Sequence, residues 1–176
     1  PIALANALSG RDLDPSRADI TLQFDADIAW SFTTTASVLD GEDFVAVALH
    51  ELAHGLGFIA AMYESYNVGF CGDGVFGALY PCPTPYDWLA VDSGGTPLMD
   101  YYLASDRFTL GTRLKSDALF GGPNAVAAYT GPLKLYTPST FAWGSSLSHL
   151  DQTTFGSSAE RLMTPSYSGV TRHPGA

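Results

Sequence analysis

The chain has 176 residues, 46% of them hydrophobic, which is enough for one domain with a substantial core. Eighteen acidic residues against eight basic ones give a net charge of −10, which argues against nucleic acid or an anionic membrane surface as a partner. The longest apolar run, Phe44 to Tyr63, is interrupted by His50, Glu51 and His54, so no transmembrane segment is expected. No signal peptide is visible and the sequence opens at Pro1 rather than Met, as expected of a mature or trimmed segment of a longer secreted precursor.

In chain order, Asp19–Phe24 alternates apolar and polar residues and reads as a strand, and Asp27–Phe32 reads as a second. Acidic residues at Asp40, Glu42 and Asp43 suit a helix start, where the backbone dipole favours negative charge. Phe44-Val45-Ala46-Val47-Ala48-Leu49 then runs apolar and is followed by Leu52, Ala53 and Leu56. A helix apolar on most sides is expected in a core. Its few polar residues are His50, Glu51 and His54, and buried ionisable groups are costly unless paired or bound to metal. Gly57 is placed to end the helix.

His50-Glu51-Leu52-Ala53-His54 carries the chemistry. Imidazoles four residues apart lie one turn apart on a single helix face. Neutral imidazole is a zinc ligand, so the pair can grip one ion from a rigid element. Glu51, beside the first imidazole, can take a proton from water at that ion and pass it to a leaving amine. This H-E-x-x-H pattern is the signature of zinc peptidases. The competing reading is a buried helix whose histidines only satisfy backbone carbonyls.

Beyond the helix, residues 64–85 read as a Gly- and Pro-rich loop. Cys71 and Cys82 lie within it, and a disulfide between them would stabilise the fold by about 2–3 kcal/mol. That pairing also fits secretion, and two free buried thiols are the alternative. Residues 86–92 and 98–105 show short amphipathic patterns, Pro123 can open a short helix through Tyr129, and Leu133–Tyr136 reads as a strand. Residues 137–148 form a Ser/Thr/Pro loop leading to His149. Calcium near Asp73, Asp87 or Asp92 is conceivable, but no loop has a recognisable ligand spacing. A catalytic zinc usually takes three protein ligands plus water, and His149 and His173 are the remaining histidines. Glu64, Glu160, Asp87, Asp92 and Asp100 fit the spacing of other zinc-peptidase clans less well.

Extended through Gly57, the motif reads H-E-x-x-H-x-x-G and resembles that of the metzincin clan of zinc endopeptidases. In the common metzincin pattern the third ligand stands six residues after the second histidine. Here that position is Ala60, and Ala61, Met62 and Tyr63 offer no substitute. A displaced histidine, His149, followed fourteen residues later by Met163 in Leu162-Met163-Thr164-Pro165, is similar to the leishmanolysin branch. The resemblance covers residues 44–58 and 145–167. It implies His50, His54 and His149 as ligands of one catalytic zinc, Glu51 as general base and Met163 as the methionine of a turn beneath the metal. It also suggests Tyr167 as a hydrogen-bond donor to the oxyanion, although a purely structural tyrosine fits the unusual offset better. Residues 27–32 would be a cleft-rim strand that pairs with extended substrate, with an ordinary internal strand as the equal alternative. The segment between Gly57 and His149 would be an insertion with no part in holding the metal, and the chain would stop short of a closing C-terminal helix.

The resulting expectation is an α+β, zincin- and metzincin-like fold in a single catalytic domain, residues 1–176. A twisted sheet and the active-site helix would form an N-terminal lobe over about residues 1–58. An irregular C-terminal lobe over residues 59–176 would carry His149 and the Met-turn. The expected function is zinc-dependent hydrolysis of peptide bonds by a secreted monomer acting on protein or peptide substrates. A zinc-stabilised binding module without catalysis and a zinc hydrolase acting on a non-peptide amide are the alternatives; retention of Glu51 speaks against the first.

Overall fold

In a computed structural model of the chain, the residues described are 2–33, 40–72 and 82–166. They form a mixed α+β structure in which small sheets alternate with short helices. Helix α1 spans Ile2–Ser9; strands β1 (Trp30–Ser31) and β2 (Glu42–Asp43) form a short parallel pair. Helix α2, Phe44–Gly55, follows directly. Its first turn is capped by Asp43, whose carboxylate accepts the Val45 N–H at 3.1 Å. Gly57, at φ 116°, ends it in a conformation that suits glycine. The Gly57 N–H returns to the His54 carbonyl and the Phe58 N–H to that of Ala53.

The strand expected at Asp19–Phe24 is absent: the segment is irregular. The alternation is nevertheless real. Ile20, Leu22 and Phe24 are half-buried while Asp19, Thr21 and Gln23 are exposed. Ile20 lies against Gly55, and Phe24 meets the Phe44 ring at 4.8 Å. A period of two lays one face of an extended chain on a helix, but a ladder also needs a partner strand, and among the described residues none pairs here. For the same reason the strand expected over residues 27–32 shrinks to Trp30–Ser31. The N-terminal twisted sheet is therefore represented, among the described residues, by β1 and β2 alone.

Helix α2 is not buried on most sides. Only Ala46 and His50 are fully buried, and Leu52 and Leu56 remain 38% and 52% exposed. The outward face is covered in part by Ile20 and by an aromatic group in which Phe24, Trp30 and Phe32 surround Phe44. Apolar composition shows that a face gains from burial, not that a layer is present to bury it.

The region read as a loop from residue 64 begins instead with an antiparallel hairpin. Strands β3 (Met62–Ser65) and β4 (Val68–Cys71) are joined at Tyr66 and Asn67, both with positive φ, as a two-residue primed turn requires. Met62, Glu64, Gly69 and Cys71 point inward. A 3-10 turn at Asp87–Leu89 leads into β5 (Ala90–Val91), then α3 (Leu98–Leu103) and α4 (Arg107–Arg113). Strands β6 (Leu119–Phe120) and β7 (Leu133–Lys134) complete an antiparallel sheet ordered β5-β6-β7. Between them α5 runs Pro123–Tyr129, opening at Pro123 as expected. Helix α6 (Gln152–Phe155) and a 3-10 turn at Arg161–Met163 follow.

The core joins these pieces: Met62, Leu98, Met99, Leu110, Leu114, Leu135, Leu147, Phe155 and Leu162 are each at most 2% exposed. Beyond β7 the sheet continues as backbone contacts that place the site. Leu135 bridges Leu150, the Tyr136 N–H donates to the His149 carbonyl at 2.8 Å, and the Leu147 N–H donates to the Tyr136 carbonyl at 3.0 Å.

Candidate metal centre

Helix α2 presents His50 and His54 one turn apart, rings edge-on at 4.7 Å, with their Nε2 atoms 3.1 Å apart. His149 arrives 95 residues after His54, held by the backbone contacts beside β7. Its Nε2 lies 3.1 Å from that of His50, and its ring is 4.9 Å from the His54 ring. The three histidines converge as the sequence reading expects, and their candidate donor atoms lie within 4.8 Å of one another.

The other face of each ring fixes its tautomer. The Nδ1–H of His50 donates to the Leu162 carbonyl at 2.7 Å, that of His54 to the Phe58 carbonyl at 2.7 Å, and that of His149 to the Ser145 carbonyl at 2.9 Å. A carbonyl can only accept, so each Nδ1 carries the proton and each Nε2 of a neutral ring offers a lone pair. Three lone pairs aimed at one another repel unless they share a cation. Nitrogen ligands about 2.0–2.1 Å from a tetrahedral zinc stand about 3.3 Å from each other, close to the 3.1 Å measured here. The donor set would therefore fit a borderline-soft ion such as zinc, and each histidine has the outer hydrogen bond that orients metal-binding imidazoles.

Electrostatics favour the neutral form of His54 and His149. Burial pushes the His149 imidazole down to about 4; the Ser145 carbonyl opposes the shift, and His54 and His50 reinforce it. Burial also lowers His54, against the pull of the Phe58 carbonyl; His50 adds to the fall and Glu51 opposes it. Glu51 follows His50 on α2 and is half-buried.

Met163 is buried, 5% exposed, in the 3-10 turn Arg161–Met163. The turn acts through its backbone. The Leu162 carbonyl orients His50, and the Met163 carbonyl accepts the Leu150 N–H at 2.8 Å, next to His149. Thr164, wholly buried, donates its hydroxyl to the Arg161 carbonyl at 2.8 Å and tightens the same turn. Tyr167, His173 and Asp73 lie outside the described residues. Cys71 and Cys82 are joined in a disulfide, with Cα atoms 5.5 Å apart. Asp87 stands near them, but both sulfurs are used in the bond. The oxygens of Asp87 accept from the Ala61, Met62 and Thr84 N–H groups, and Asp92 accepts from Gly94, Thr96 and Tyr101. Glu64 is paired with Lys115 at 3.2 Å, in the hairpin and away from the histidines.

The segment between Gly57 and His149 supplies hydrogen-bond acceptors to two of the histidines. Its first residue, Phe58, supplies the carbonyl for His54, and Ser145 supplies the one for His149. Within it, Tyr86 donates its hydroxyl to the Leu147 carbonyl at 2.7 Å, and Ser148 accepts the Ala60 N–H at 3.1 Å. Backbone acceptors have no sequence signature, so these supports are visible only once the chain is folded.

Residues 12–81 match a family described as SPBPB7E8-like, a span that contains His50, Glu51 and His54 and ends before His149. No curated protein and no solved structure matches the chain.

Proposed function

We propose that this chain is a secreted, monomeric zinc-dependent endopeptidase with a metzincin-like arrangement, acting on protein or peptide substrates. One observation carries the reading: three imidazoles, those of His50 and His149 buried and that of His54 half-buried, have protonated Nδ1 atoms and aim their Nε2 lone pairs at a common point, and Glu51 follows the first in sequence. His50, His54 and His149 would hold the ion. Zinc bound there supplies Lewis-acid chemistry, polarising the scissile carbonyl and making water acidic enough to attack near neutral pH. Glu51 as a carboxylate takes the proton released by the attacking water. As a neutral acid it then returns that proton to the amine nitrogen as the C–N bond breaks, which restores the carboxylate. The carbonyl supports of the three imidazoles keep the donors in place through this cycle, so no ligand needs to reorient.

Glu51→Gln tests the reading. The amide keeps the shape but cannot accept the proton. The variant should bind zinc like the unmodified chain while casein hydrolysis falls by about 100-fold or more. A chelator should abolish hydrolysis by the unmodified chain, and added zinc should restore it. Near-normal hydrolysis by zinc-loaded Glu51→Gln would overturn the assignment.

A further inference from the structure

Two of the three histidine supports lie on separate arms of the chain. His54 leans on the Phe58 carbonyl, just past the Gly57 turn, and His149 on the Ser145 carbonyl, in the segment beside β7. Tyr86 stands between these arms and touches both. It is 4% exposed, its ring meets Phe58 edge-on at 5.1 Å, and its hydroxyl donates to the Leu147 carbonyl at 2.7 Å. Leu147 lies between Ser145 and His149 with φ 66°, a left-handed conformation that L-residues with a β-carbon avoid. That kink lies within the turn in which the Ser145 carbonyl meets the His149 ring. Both backbone polar groups of Leu147 are held from outside, the N–H by the Tyr136 carbonyl and the C=O by Tyr86.

Tyr86 is itself fixed. Its ring stacks on Phe120 at 4.9 Å. The next residue, Asp87, is wholly buried and accepts the N–H groups of Ala61 at 3.0 Å and Thr84 at 2.7 Å. Those bonds tie the Tyr86 backbone to the segment that runs from Phe58 into β3. A second brace joins the arms directly, since the Ala60 N–H donates to the Ser148 hydroxyl at 3.1 Å, one residue before His149. Burial, with Asp87 adding to it, raises the Tyr86 hydroxyl well above its ordinary range, so it remains a donor at all working pH values.

We propose that Tyr86, assisted by Ser148, is a positioning residue for the metal centre, locking the carbonyls that aim His54 and His149 into one rigid frame. The inference rests on the reading of the three histidines as metal ligands. It assigns to the segment between Gly57 and His149 the task of setting the donor geometry.

Tyr86→Phe keeps the ring and deletes the hydroxyl. Zinc affinity of the 176-residue chain, measured by competition with a chromophoric chelator, should fall about 10- to 100-fold, the usual consequence of losing an outer support. The visible absorption spectrum of the cobalt(II)-substituted variant should differ from that of the unmodified protein. Tyr101→Phe is the control, because the Tyr101 hydroxyl makes an equally short bond, 2.7 Å, to Asp92 in a different network. It should lower thermal stability while leaving zinc affinity and the cobalt spectrum unchanged. A Tyr86→Phe protein that loses stability but binds zinc as before, with an unaltered cobalt spectrum, would make Tyr86 an ordinary core residue and overturn the proposal. If that variant does not fold, Ser148→Ala removes the second brace and is judged by the same two readouts. An unmodified chain that binds no zinc would sink the metal-site reading itself, and this inference with it.

Discussion

His149 shows how one residue depends on several that are distant in sequence. Its ring is buried, which by itself penalises the charged form and keeps the imidazole available as a neutral donor. Its Nδ1–H is taken by Ser145, its carbonyl by the Tyr136 N–H, and the neighbouring Leu150 N–H by Met163. A side chain held so fully has one direction in which to point, and that direction meets His50 and His54. His149→Ala should therefore reduce zinc content from about one ion per chain to nearly none, while His173→Ala should leave it unchanged. Inductively coupled plasma measurement of both variants decides between the two histidines. Full occupancy in the first variant with loss in the second would transfer the third-ligand role to His173.

At the scale of elements, close approach rather than propensity sets the geometry. Helix α4 lies against the β3–β4 hairpin because both surfaces carry glycine where they meet. A β-carbon on Gly111 would stand 2.5 Å from the Asn67 carbonyl oxygen, and one on Gly69 would stand 2.3 Å from the Leu110 side chain. The first clash is with backbone at the hairpin turn and cannot be relieved by rotating a side chain. Gly111→Ala should accordingly destabilise the fold by about 1–3 kcal/mol, despite alanine's better helix propensity. Urea denaturation measures this; a stabilised variant would show that the helix and hairpin are not packed as described. The 3-10 turn Arg161–Met163 works in a similar way. It contributes two carbonyls, which explains how a short turn with little regular structure can orient His50 on α2 and the strand-like segment beside β7.

Among the described residues, the core cluster draws on positions 46 to 163, while Ile20 and the aromatic side chains of Phe24, Trp30 and Phe32 cover part of α2. The Cys71–Cys82 disulfide closes the region that runs from the hairpin to the Tyr86–Asp87 support. The unreduced protein should weigh about 2 Da less than the dithiol form, and replacing both cysteines with alanine should cost about 2–3 kcal/mol of stability. Two thiols alkylated in the untreated native chain would contradict the pairing. Among the described residues no helix is long and apolar enough to cross a membrane, and the disulfide is compatible with an oxidising compartment.

Much of the site was legible in the sequence because its information is local. The i, i+4 spacing of His50 and His54 fixes a shared helix face, Asp43 and Gly57 mark the ends of α2, and Pro123 marks the start of α5. Each depends only on backbone geometry within a turn or two. The β3–β4 hairpin also had a local signal, a Tyr66-Asn67 turn between short alternating runs, but Gly69 and the neighbouring loop residues obscured it. The Asp19–Phe24 alternation specified which side chains face inward, yet it could not specify whether a strand or a helix would lie beneath them. Sequence order and elimination singled out His149, but its approach to His50 at 3.1 Å and to the His54 ring at 4.9 Å, and the roles of Phe58, Ser145, Leu162 and Tyr86, were decided only by tertiary structure. The physical reason is that those supports are carbonyls and a hydroxyl brought together across as many as 112 residues of chain, and nearly every residue carries a carbonyl.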